Sequence, residues 1–94
     1  MQIKWLKTAI QNLEDELEFI AKDNPLAAKQ VAQRIYRAVS LLAEQSHIGK
    51  PGRISGTREL LVPKTRYLIP YRINNNRIEI LRVFHTSRKP SKIW

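Results

Sequence analysis

Three side chains near the C-terminal end of the sequence could do chemistry together. Arg82, His85 and Arg88 follow one another at equal intervals. Imidazole exchanges a proton near neutral pH, so histidine serves as general base or acid. Guanidinium groups donate paired hydrogen bonds to phosphate oxygens and stabilise the charge that develops on them. One imidazole between two guanidiniums is compatible with metal-free RNA cleavage, in which a 2′-hydroxyl attacks the adjacent phosphodiester. These three are then the candidate catalytic residues. They also have a structural reading. His85 shares strand parity with Leu81 and Val83, which suits a packed histidine. Arg82 shares it with Ile80 and Phe84, which suits a paired strand arginine. Arg58, Arg66 and Arg72 on the preceding strands are candidate contacts to a target, as are Lys89, Lys92 and Trp94 in the tail. Tyr67 and Tyr71 share a face with Ile69 and Ile73 and read as core residues with hydroxyls at the edge. Glu59 and Glu79 read as surface strand residues paired with arginines. His47, in a loop beside Ile48, reads as surface.

Composition narrows the chemistry further. The chain has 94 residues, no cysteine and two histidines. Disulfides, thiolate metal sites and cysteine nucleophiles are excluded, and neither a metal nor a cofactor is expected. Phosphate-loop, GxGxxG, HExxH and GxSxG motifs are missing. One domain spanning 1–94 is expected at this length, with a helical hairpin over about 6–44 and a basic sheet and tail over 57–94. No apolar run approaches the roughly 18 residues of a membrane span, and MQIKWLKTAI lacks the apolar stretch of a secretory signal. A cytoplasmic location and no membrane partner are expected. The formal net charge is +9, and it is unevenly placed. Residues 1–50 carry seven basic and six acidic side chains, whereas residues 51–94 carry ten basic and two acidic. A field of that kind attracts nucleic acid or an acidic protein.

The elements that must hold these groups follow from periodicity. Residues 1–5 alternate weakly and predict a short strand. Leu6, Ala9, Ile10, Leu13, Leu17 and Ile20 recur at helical spacing and predict a helix ending near residues 22–23. Asn24 caps a second helix with Pro25 at its first position, running to about residue 44 along Val31, Ile35, Val39 and Leu42. The loop SHIGKPGRISGT holds all three glycines. A strand at residues 60–62 follows, then an alternating strand at 67–73 with Pro70 as an irregularity. An Asn74-Asn75-Asn76 turn leads into a strand at 77–85. The fold class expected is α+β: a helical hairpin packed on a small, mainly antiparallel sheet.

The order of these elements, with the phrases WLKTAIQNL, DNPLAAKQV, GTRELLV, YLIPYRI and IEILRVFHTSRKP, resembles the RelE/ParE superfamily of toxins from bacterial type II toxin–antitoxin modules. The resemblance covers nearly the whole chain. It implies a compact α+β toxin without cofactor, neutralised by an acidic antitoxin in a hetero-oligomer. RelE-like members cut mRNA on the ribosome without metal; ParE-like members inhibit DNA gyrase and are not enzymes. RelE-like nucleases carry lysines on the second strand, where Glu59 and Leu61 stand here. They carry an arginine after the first tyrosine of the third strand, where Leu68 follows Tyr67. Arg88 matches their arginine past the last strand, and Trp94 stands where they have a terminal tyrosine. The phrase ILRVFHTSR is closer to ParE-like members, so gyrase inhibition is the leading expectation and mRNA cleavage the alternative. A non-toxic nucleic-acid-binding module is the remoter one.

Overall fold

The computed structural model describes residues 1–87. Strand β1 (Gln2–Trp5) leads into helix α1 (Lys7–Asp23) and helix α2 (Pro25–Leu41). Five strands follow: β2 (Lys50–Pro51), β3 (Arg58–Leu61), β4 (Tyr67–Asn74), β5 (Arg77–Ile80) and β6 (Phe84–His85). The sheet order is β1-β5-β4-β3-β2, with β6 pairing β4 next to β5. Only the β1–β5 pairing is parallel among the described strands. This is the expected α+β class.

Local chemistry explains the joints. Asn24 Oδ1 accepts a hydrogen bond from Ala27 N at 3.0 Å, and Pro25 starts α2 where no intrahelical donor is needed. The one-residue joint folds the helices into a hairpin. Helix α2 stops at Leu41 rather than near residue 44. There Ser40 Oγ bonds back to Tyr36 O at 2.7 Å, and Leu42 N bonds to Val39 O, three residues back. Asn75 and Asn76 have φ of 51° and 59°, so the β4–β5 hairpin closes on two left-handed residues that asparagine tolerates.

Alternation divides the sheet into two faces. Ile3, Trp5, Leu60, Ile69, Tyr71, Ile73, Ile78 and Ile80 face the helices and pack with Ala9, Leu13, Ile35, Ala38, Val39 and Leu42. The other face carries Lys4, Glu59, Leu61, Leu68, Arg72, Arg77 and Glu79.

Residues 77–85 are not one strand. Tyr71 pairs with Ile80, but Leu68 pairs with Phe84. Two residues of β4 thus oppose three, 81–83, on the returning chain, which is a β-bulge. Pro70 is its physical cause. Its carbonyl accepts from Leu81 N at 2.9 Å, but it has no N–H to return the bond. Arg82 Nη1 takes the Leu81 carbonyl instead, at 2.7 Å, and Val83 N donates to Asn12 Oδ1 of α1 at 3.2 Å. The extra residue breaks the expected parity. Phe84 lies beside Leu68 on the helix-free face although Ile80 faces the helices, and His85 lies beside Tyr67 on the helix side.

Candidate functional surfaces

Two of the three candidate catalytic residues fall among the described residues, and both have structural partners. Arg82 closes the bulge through the Leu81 carbonyl. His85 is half-buried, its ring edge-on to Tyr67 at 5.1 Å and 86°. Its Nδ1 accepts from Ser87 N at 3.2 Å, which puts the proton of the neutral ring on Nε2. The Tyr67 hydroxyl donates to Glu16 Oε1 of α1 at 3.1 Å. Arg88, Lys89, Lys92 and Trp94 lie outside the described residues.

The strand arginines differ among themselves. Arg58 is half-buried and donates to Gly49 O at 2.6 Å and more weakly to His47 O at 3.4 Å, so it ties down the loop after α2. Tyr71 completes that tie: its hydroxyl accepts from Gly49 N at 3.0 Å and donates to Ser46 O at 2.8 Å. A Cβ on Gly49 would meet Tyr71 Cε1 at 2.6 Å, so only glycine allows this approach. Burial pushes the Tyr71 phenol above its ordinary pKa, against the Gly49 hydrogen bond and the Arg58 charge. The Tyr71 hydroxyl is thus inside the fold and bonded, not at the sheet edge. Arg66 is exposed and donates to Ser87 Oγ at 2.9 Å, while its carbonyl receives Thr86 N at 2.7 Å.

Arg72 is exposed and donates from Nε to Glu79 Oε1 at 2.6 Å, and Arg77 Nη2 reaches Glu79 Oε2 at 3.3 Å. Glu79 is therefore paired as expected, but it is only 4% exposed and not a surface residue. The two arginine side chains cover it. The Arg72 hydrogen bond holds its carboxyl below the ordinary carboxylate range; burial opposes this, and the Arg72 and Arg77 charges and a bond from Asn74 add to it. Glu59 accepts from Arg53 N at 3.0 Å.

A third surface was not legible as a site. A cleft of about 370 Å³ opens between α2 and β3, lined by Ala38, Leu41, Ile48, Leu60, Leu61 and Pro63 and rimmed by Arg34, Arg37 and Lys64. Leu61 joins the cleft at the sheet edge, its side chain turned to the helix-free face and 58% exposed. The Ile69 and Tyr71 backbones turn toward β3, so Glu59 and Leu61 turn theirs outward. Strand β2 covers Glu59 but stops short of Leu61, leaving an open strand edge beside an apolar cleft with a cationic rim. The signal in the sequence was the α2 stripe Arg34, Arg37, Ala38 and Leu41, which shares one helix side.

The chain matches, over residues 3–90, the family model described as ParE toxin of type II toxin-antitoxin system, parDE. The chain belongs to the ParE toxin family. It is 43% identical over 88 residues to "Putative toxin Y4kP" of Sinorhizobium fredii (strain NBRC 101917 / NGR234), covering 94% of this chain and 91% of that protein. It is 29% identical to "Toxin RelE2" of Caulobacter vibrioides, covering 93% of this chain and 97% of the relative. Among solved structures it is similar to a chain of the "Chromosomal ParDE TA system from P. aeruginosa", with a TM-score of 0.82, 25% identity, and 90% and 95% of the two chains covered. As a ParE-family protein it is the toxin partner of an antitoxin. No helix among the described residues is long and apolar enough to cross a membrane.

Proposed function

We propose that this toxin acts in the cytoplasm as a ParE-like inhibitor of DNA gyrase, without catalytic activity of its own. The observation that carries this is the bonding of Arg82. Its guanidinium replaces the donor that Pro70 lacks, so it holds the bulge together. His85 likewise packs on Tyr67 and caps the turn at Ser87. The second strand offers Glu59 and Leu61 where RelE-like nucleases have lysines, and Leu68 where they have an arginine. The tail from Arg88 to Trp94 supplies the contact to gyrase. An acidic antitoxin silences the toxin by laying an extended segment along Leu61, with apolar side chains in the α2/β3 cleft and acidic ones against Arg34, Arg37 and Lys64.

The second reading, ribosome-dependent mRNA cleavage, draws on the relative named RelE2 and on His85 as acid or base with Arg88 as phosphate clamp. Induction of the toxin alone, followed by pulse-labelling of protein and DNA synthesis, separates the two. Gyrase inhibition gives DNA breaks with gyrase trapped on DNA and a delayed fall in translation, and His85→Ala stays toxic where it folds. Removal of residues 91–94 relieves toxicity. Arrest of translation within minutes, with new mRNA ends that vanish in His85→Ala, would replace the gyrase reading by the nuclease one.

A further inference from the structure

The sheet face turned away from the helices holds a cluster of cations built around one carboxylate. Lys4 on β1, Glu79 on β5 and Arg72 on β4 stand directly opposite one another across three strands. Arg77 lies two residues from Glu79 on the same face and bonds its second oxygen. One cation suffices to neutralise a covered carboxylate. Here two arginines share Glu79 and Lys4 stands beside it, so the cluster keeps a net positive charge. Glu79 also fixes both guanidiniums: Arg72 spends Nε on it and Arg77 spends Nη2, while the side chains remain 48% and 41% exposed. Arg77 Nε is buried without a hydrogen-bond partner among the described residues, so what a ligand from outside would meet is the exposed parts of Arg72 and Arg77 and the exposed Lys4. Glu79 offsets one of the three positive charges, and the surplus favours an anion from outside.

We propose that Lys4, Arg72 and Arg77 form a binding site for the backbone phosphates of a nucleic acid. Guanidiniums fixed by a buried carboxylate are pre-ordered donors for phosphate oxygens. At this end of the face their neighbours are Gln2 and Asn74, both exposed and polar, and the buried Pro70, whereas Leu61, Leu68 and Phe84 lie toward the other end. A protein partner needs apolar anchors, such as those in the α2/β3 cleft, whereas phosphate contacts need none. The site depends on neither target reading, since DNA bound by gyrase and mRNA on a ribosome present the same phosphodiester.

Fluorescence anisotropy with a short labelled duplex DNA, and separately with a single-stranded RNA, tests this on the full chain across a salt series. Lys4→Gln and Arg72→Gln should each lower the magnitude of the log K against log salt slope by about 0.9 on duplex and about 0.7 on single strands. That corresponds to a loss of about eightfold on duplex at about 0.1 M salt relative to extrapolated binding at 1 M. Lys29→Gln, the same charge change on α2, should leave the slope unaltered. Tighter binding to duplex or to RNA identifies which polymer supplies the phosphates. Arg72→Gln removes a Glu79 partner, so its melting temperature is checked; Lys4→Gln removes none of the Glu79 bonds and stands as the independent variant. Equal loss in all three variants, no loss in any, or loss of binding to polyglutamate but not to nucleic acid would overturn the site.

Discussion

Glu79 shows how one residue ties folding to pH. It is nearly covered, it is charged, and it bridges arginines on two adjacent strands. Its folded-state pKa lies below the ordinary value of 4.5, chiefly through the Arg72 hydrogen bond. A lowered carboxylate pKa means that the folded state holds its proton less tightly than the unfolded chain. The stabilisation is therefore complete above the ordinary value and is lost as pH falls through the folded one. Glu79→Gln should melt at a lower temperature than the parent at pH 7, and the gap should close as pH falls below the ordinary glutamate range. Circular dichroism melts across that range check this. A gap that is constant or widens in acid would show that the carboxylate charge is not what stabilises the pair.

At the scale of elements, the bulge between β5 and β6 decides where the candidate side chains Arg82 and His85 sit. If Arg82 substitutes for the missing Pro70 donor, then Arg82→Ala leaves the Leu81 carbonyl without it and costs about 1–2 kcal/mol. In a Pro70→Ala background an N–H returns to β4 and can bond that carbonyl, so the same Arg82→Ala change should cost less. The difference, a coupling of about 0.5–1.5 kcal/mol from a double-mutant cycle by urea unfolding, measures the substitution directly. Strict additivity would mean that Arg82 acts elsewhere. The bulge also marks where sequence reading stops. The Asn24-Pro25 joint and the Asn75-Asn76 turn were legible because each needs a residue type that few others replace. The run Ile80-Leu81-Arg82-Val83-Phe84 was not, because apolar residues on both sides suit an unbroken central strand as well as a bulged one. The deciding residue, Pro70, lies on a different strand, and its effect passes through a hydrogen bond that only the register reveals. Strand β2 escaped for a related reason: a Lys-Pro pair in a glycine-rich loop has no strand periodicity, and Glu59 on β3 selects it by pairing.

At the scale of the whole molecule, charge and apolar surface are divided among three regions. Exposed acidic residues crowd α1, at Glu14, Asp15 and Glu18, while cations cover the helix-free sheet face and rim the α2/β3 cleft. An acidic chain is the electrostatic complement of that cationic rim. In the docking proposed above, the apolar lining and open strand edge of the cleft supply lasting contact and its cationic rim supplies fast encounter. Those roles separate in kinetics. Reversing Arg34 and Arg37 to glutamate should slow association with the antitoxin of the adjoining gene by on the order of 10- to 100-fold at low salt, and the deficit should shrink as salt rises. Replacing Leu61 by asparagine should instead speed dissociation, with little change in association. Surface plasmon resonance at two ionic strengths resolves both rates. A Lys22→Glu/Lys29→Glu variant makes the same change in net charge at the hairpin end, away from the cleft lining. If it slows association as much as the rim variant does, encounter is governed by the overall field and the antitoxin docks elsewhere. If the rim variant alone is slow and the Leu61 variant alone dissociates fast, the cleft is where the toxin is held silent.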